Sequence, residues 1–226
     1  MSKDRTEVPG AALLGNIRGV TPPRQQRSWQ TFDAILDGAE RLLVEHKLGE
    51  ISMNDICAEA NVSISSLYAR FDSKEAILRS LYGRYAEESI MALDRIRSML
   101  DDEPPETFEI LVQRVLAEWI RFARRHWHLL ATFRAEAVIA PERARIEHEV
   151  YHRVTDTVAA AQLLFQPASA WQLEFISFTF GNVIQGLINA PAEVASHLQL
   201  SDELLAREYA SMIVGYLDRA NPPLDP

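Results

Sequence analysis

Two short amphipathic stretches joined by only three residues constrain this chain most tightly. Met53, Ile56, Cys57 and Ala60 share one face of a two-turn helix, and Leu67 and Phe71 lie four apart on the inward side of another. Asn61, Val62 and Ser63 alone separate them. Each stretch carries its own start signal: Ser52 with Asp55 three residues on resembles a capping box with Asp in place of Glu, and Ser63 offers a second N-cap hydroxyl. Asn61 ends the first stretch because Asn tolerates the left-handed conformation that a tight turn requires. The expected unit is helix, tight turn, helix over Ser52–Phe71, with the start of the second helix exposed.

Helical periodicity continues on both sides. Phe32, Ile35, Leu36, Ala39, Leu42 and Leu43 predict a helix starting near Ser28. Asp72 or Ser73 caps a longer one from Lys74 through Ile77, Leu78, Leu81, Tyr82 and Tyr85 towards Leu100, and DDEPPE then reads as a linker. Beyond it, helices are expected near 106–125, 127–138, 141–165, 168–189 and 202–220, with Pro141, Pro167 and Pro191 at the joints. No period-2 alternation bounded by turn signals appears, so the expected fold is all-α with about nine helices.

At 226 residues the chain is long enough for two unequal domains. Cys57 is the single cysteine, which rules out an intrachain disulfide and points to a reducing cytoplasm. No uncharged apolar run reaches the roughly 18 residues of a membrane helix, so no membrane partner is expected. The net charge of −9 is unevenly spread: residues 1–83 hold ten Lys/Arg against eleven Asp/Glu, the remainder thirteen against twenty-one. The acidity therefore sits away from the helix-turn-helix segment.

The string AEANVSISSLYARFDSKEAIL closely resembles the DNA-binding segment of TetR family transcriptional regulators. The resemblance rests on Asn61, Val62 and Ser63, then Leu67 and Tyr68, then Asp72, Ser73, Lys74 and Glu75, and covers about fifty residues from the first helix to the fourth. It departs from the family at Asn61, where Gly is usual, and at Ile64, where a polar or basic residue is common. The segment 1–24, whose short apolar patch is broken by Gly10 and Gly15, is expected to be a mobile tail; the resemblance implies a three-helix DNA-binding domain over 25–85 and a helical effector-binding and dimerisation domain over 86–226. Double-stranded DNA and a second copy of the chain are the implied partners. The expected function is that of a ligand-released repressor on a palindromic operator, with no cofactor, no metal and no catalytic residue.

Within this frame Ser63, Tyr68 and Lys74 are suited to phosphate: a hydroxyl at a helix start, a phenol on an exposed face, and an ammonium beside another helix start. Arg27, with Arg24, is placed to reach the backbone or a minor groove, the alternative being a solvated tail. Base reading falls to Ile64, Ser65 and Ser66, assisted by Asn54 and Arg70. Ile64 suits a thymine methyl, unless it only staples the helix start.

For the C-terminal domain the family implies dimerisation through the last two long helices. Trp171, Phe175, Phe178 and Ile184 on one, and Leu205, Tyr209, Met212 and Tyr216 on the other, are the candidate interface. Trp119, Phe122, Trp127 and Phe133 fall in helices that in the family surround an effector pocket, which would suit an apolar or aromatic small molecule; ordinary core packing is the alternative. HEVYH at 148–152 satisfies the HExxH pattern, and makes a metal-dependent hydrolase using His148, Glu149 and His152 the competing function. Its charged flanks and the lack of a third ligand other than His197 favour an exposed helix face instead.

Overall fold

The computed structural model describes Val8, Gly10, Ala11, residues 16–165, Gln172, Ile176, Thr179 and residues 201–218, with the side chains of Trp127, Val158 and Gln162 outside the description. Among the described residues the fold is all-helical: α1 (Gln26–Glu45), α2 (Met53–Ala60), α3 (Ile64–Tyr68), α4 (Lys74–Asp102), α5 (Phe108–Ala135), α6 (Ala140–Phe165) and α7 (Asp202–Asp218), with 3-10 turns at Leu48–Glu50 and Ala137–Ile139. Of the expected helix at 168–189 Gln172, Ile176 and Thr179 are described, each in helical conformation, while Trp171, Phe175, Phe178, Ile184 and His197 lie outside the described residues.

The expected helices at 106–125 and 127–138 form one helix, α5. Neither proline nor glycine occurs between Pro105 and Pro141, so nothing in that stretch removes a backbone donor or relaxes the chain. Thr107 caps α5, its hydroxyl accepting from the Ile110 amide at 3.2 Å. Pro141 falls in the first turn of α6, where its missing N–H costs nothing.

The described residues fall into two compact units, one within Met1–Ile90 and His128–Glu149, the other within Met91–Trp127 and Val150–Pro226. α4, α5 and α6 contribute residues to both. In the first unit Trp29, Phe32, Ile35, Leu36, Ala39 and Leu43 turn one face of α1 inward, where Phe32 meets Phe71 with ring centroids 4.8 Å apart. A Cβ on Gly38 would lie 3.0 Å from that of Ala60, so α1 and α2 cross closely. Arg84 of α4 is clamped on two carboxylates of α1, Asp37 at 2.6 Å and Glu40. In the second unit Leu205, Ala206 and Ala210 of α7 close on Leu116, Ile120 and Ala123 of α5, and Arg124 pairs with Asp202 at 2.5 Å.

The segment expected to be a mobile tail up to residue 24 is paired to the fold at its downstream end. Val20 forms an isolated antiparallel bridge with Phe71, and Ile17 is 7% exposed.

Candidate nucleic-acid interface

The helix-turn-helix is built as the local chemistry dictates. The Ser52 amide donates to Asp55 Oδ2 at 2.8 Å and the Asp55 amide donates back to Ser52 Oγ at 3.2 Å, closing the capping box at the start of α2. The Ser52 hydroxyl, which donates to Asp55 Oδ2 at 2.7 Å, and then the Ser52 amide hold the Asp55 carboxyl below its ordinary value. At the other end Asn61 adopts φ 53°, ψ 46°, and its amide with that of Val62 returns to the carbonyls of Ala58 and Cys57. The chain then re-enters a helix within three residues. Ser63 caps α3, its Oγ accepting from the Ser66 amide at 3.2 Å and lying 3.0 and 2.8 Å from the hydroxyls of Ser65 and Ser66.

α3 is sharply divided between two environments. Leu67 and Phe71 are fully buried, whereas Ile64 is 42% and Tyr68 55% exposed. Tyr68 is thus not a core aromatic. Ser63, Ser65 and Asn54 are exposed, Ser66 and Arg70 half-buried, and Arg27 exposed beside the start of α1. One short helix therefore presents a methyl-rich side chain, hydroxyls and a phenol to solvent while its other side is sealed into the core.

Lys74 is half-buried at the start of α4. Its Nζ donates to the Leu48 carbonyl at 2.8 Å and the Ile51 carbonyl at 3.2 Å, tying the 3-10 turn before α2 to the start of α4. Its partners are 26 and 23 residues upstream, and no local pattern announces them. The α4 cap is Ser73, whose Oγ accepts from the Ala76 amide at 3.3 Å and donates to Asp72 at 2.7 Å.

In the second unit an apolar cavity of about 90 Å³ is lined by Leu93, Ile96, Phe108, Val115, Trp119 and Thr157 among others. Of the expected pocket aromatics, Trp119 lines it, and the side chain of Trp127 lies outside the description. Phe122 packs on Trp119 and His126 instead. Phe133 belongs to the core of the first unit, 1% exposed, with Tyr82 and Tyr85 at 4.9 and 5.7 Å. The remaining lining is mostly aliphatic, and in the sequence nothing sets those residues apart from ordinary core. On α7, Leu205 is turned into its own core, Tyr209 packs beside it, Tyr216 is half-buried, and Met212 is 67% exposed. Of these four, Leu205 is therefore not available to a second subunit.

His148 and His152 are both exposed on α6, and among the described residues no group of three or more His, Cys, Asp or Glu is placed to hold a metal. No helix among them is long and apolar enough to cross a membrane.

Residues 35–81 match the family model described as bacterial regulatory proteins, tetR family. The chain is similar to that family over 47 of its 226 residues. The proteins that this model describes are regulators, and the match does not reach His148, Glu149 or His152. The HTH-type transcriptional regulator EthR of Mycobacterium tuberculosis is 40% identical over 63 residues, 28% of this chain and 29% of the relative, so the match spans under a third of that relative's length. Among solved structures, FadR from Bacillus subtilis in complex with stearoyl-CoA has 15% identity and TM-score 0.60, covering 81% of this chain and 97% of that one. NalD, the secondary repressor of the MexAB-OprM multidrug efflux pump in Pseudomonas aeruginosa, has 14% identity and TM-score 0.61, covering 87% and 100%. At these identities the two structures speak for the TetR fold alone.

Proposed function

We propose that this chain is a DNA-binding repressor of the TetR type that grips a palindromic operator as a homodimer and is released by an uncharged, apolar small molecule. The observation that carries the reading is the division of α3 and its exit, with Ile64 and Tyr68 outside and Leu67 and, just beyond the helix, Phe71 sealed within. A helix so mounted enters a major groove with its first residues on the base edges. Ile64, Ser65 and Ser66 read bases, aided by Asn54 and Arg70. Ser63, Tyr68 and Arg27 hold phosphates. Lys74 spends two of its three donors on the 3-10 turn, which leaves one for a phosphate oxygen.

Release by a ligand is supported by the apolar cavity and by the stearoyl-CoA bound to one structural relative; repression is supported by the description of another. Dimerisation is supported by the exposed Met212 on α7. The test is to select duplexes from a random pool with the purified protein at low salt. Palindromic sites are expected, with Tyr68→Phe weakening all duplexes alike by about fivefold and Ile64→Ala reordering their preferences. Retention of no duplex at any salt concentration would end the reading.

A further inference from the structure

The segment before α1 is joined to the exit of α3 rather than trailing from it. The Thr21 amide donates to the Arg70 carbonyl at 2.8 Å and the Asp72 amide to the Gly19 carbonyl at 3.0 Å, either side of the Val20–Phe71 bridge. Gly19 sits at φ +82°, and a Cβ there would lie 2.3 Å from Asp72 Oδ1, so only glycine closes this junction without strain. Ile17 and Pro23 are buried on its two sides. Arg18 and Arg24 are exposed and form no ion pair among the described residues.

We propose that residues 17–24 form a clip that extends the DNA-facing surface, with Arg18 and Arg24 contacting the phosphate backbone beside the groove that α3 enters. The inference rests on the DNA-binding reading above. Arg70 stands in the turn two residues past the end of α3; six residues at helical rise cover about 9 Å, and a major groove is about 12 Å wide. A segment bonded to Arg70 is thus carried close to the flanking sugar-phosphate strand when Ile64 meets base edges. Fixing the arginines there also lowers the ordering entropy that a loose arm would lose on binding.

The experiment measures duplex affinity against salt for the full chain, Arg18→Ala/Arg24→Ala, and Gly19→Ala, with far-UV circular dichroism confirming that each variant is helical. The double variant is expected to flatten the slope of log affinity against log salt by about two, equally for all duplexes. Gly19→Ala is expected to flatten it too, although no charge is removed. If the parent binds in a salt-dependent way and the double variant keeps its slope, the phosphate contacts are refuted. If only Gly19→Ala behaves like the parent, the arginines act from a loose arm and the clip is refuted. If the parent binds no duplex, the DNA-binding reading falls and this inference with it.

Discussion

At Asn61 a single backbone conformation decides whether the reading helix is presented at all. It is the one described residue other than glycine with positive φ, and the reversal from α2 into α3 depends on it. A Cβ-bearing residue pays roughly 1–2 kcal/mol in this region, and Asn escapes part of that cost through local hydrogen bonding of its amide side chain. Asn61→Ala is therefore expected to lower stability by about 1 kcal/mol, with Asn61→Gly within about 0.5 kcal/mol of the parent; urea midpoints at constant slope measure both. An alanine variant as stable as the parent would show that the turn relaxes elsewhere. This conformation was legible in the sequence because the requirement is local. The anchoring of Lys74 was not, because the carbonyls that hold it come from a turn more than twenty residues away.

Among the elements, α4 and α5 meet through aromatic rings whose protonation reports their burial. Tyr82 and Tyr85 of α4 enclose Phe133 of α5. Burial pushes both phenols up, that of Tyr85 to about 12. In the unfolded chain they release their protons near pH 10, so between about pH 10 and 12 the folded state holds more protons than the unfolded one. The associated stability is fully present below pH 10 and is lost as pH rises through that window, by roughly 1 kcal/mol per pH unit for each phenol. Urea unfolding at pH 9, 10 and 11 is expected to show this decline, shallower in Tyr85→Phe; equal declines would mean that Tyr85 titrates as in the open chain. Starts of elements were the most legible features, since Ser52, Ser63 and Ser73 cap within three residues. The continuity of α5 and the pairing of Val20 with Phe71 were not. The first has no punctuation to read, and the second joins positions about fifty residues apart. Phe133 shows a further limit: an aromatic residue at helical spacing does not say whether its ring borders a void or fills a core.

For the molecule as a whole, the character of the cavity decides what can signal through it. Among the described residues its lining is aliphatic and aromatic apart from Thr157, whose hydroxyl already donates to the Arg153 carbonyl at 2.7 Å. A carboxylate entering such a site would leave its hydration behind without a charged partner, at a cost of several kcal/mol. An uncharged ring gives up little, and dry apolar cavities of roughly 150 Å³ take benzene, so a volume near 90 Å³ suits a ligand of one ring or less with small side-chain adjustments. Benzene or indole is expected to raise the thermal midpoint, by an amount equivalent to about 2.7 kcal/mol at a hundred times its dissociation constant, while benzoate leaves it unchanged. Ala161 is 3% exposed on the cavity wall, and Ala161→Leu should fill part of the space and reduce the benzene response without loss of fold. The control is informative in both directions: a benzoate shift as large as that of benzene would mean that a cation serves the site, and an undiminished benzene response in Ala161→Leu would place the binding elsewhere. Because α4, α5 and α6 contribute residues to both units, a ligand that orders this cavity acts on helices that also belong to the unit carrying α3. The same titration followed by duplex release then measures the coupling: by linkage, the factor by which benzene weakens DNA binding must equal the factor by which DNA weakens benzene binding.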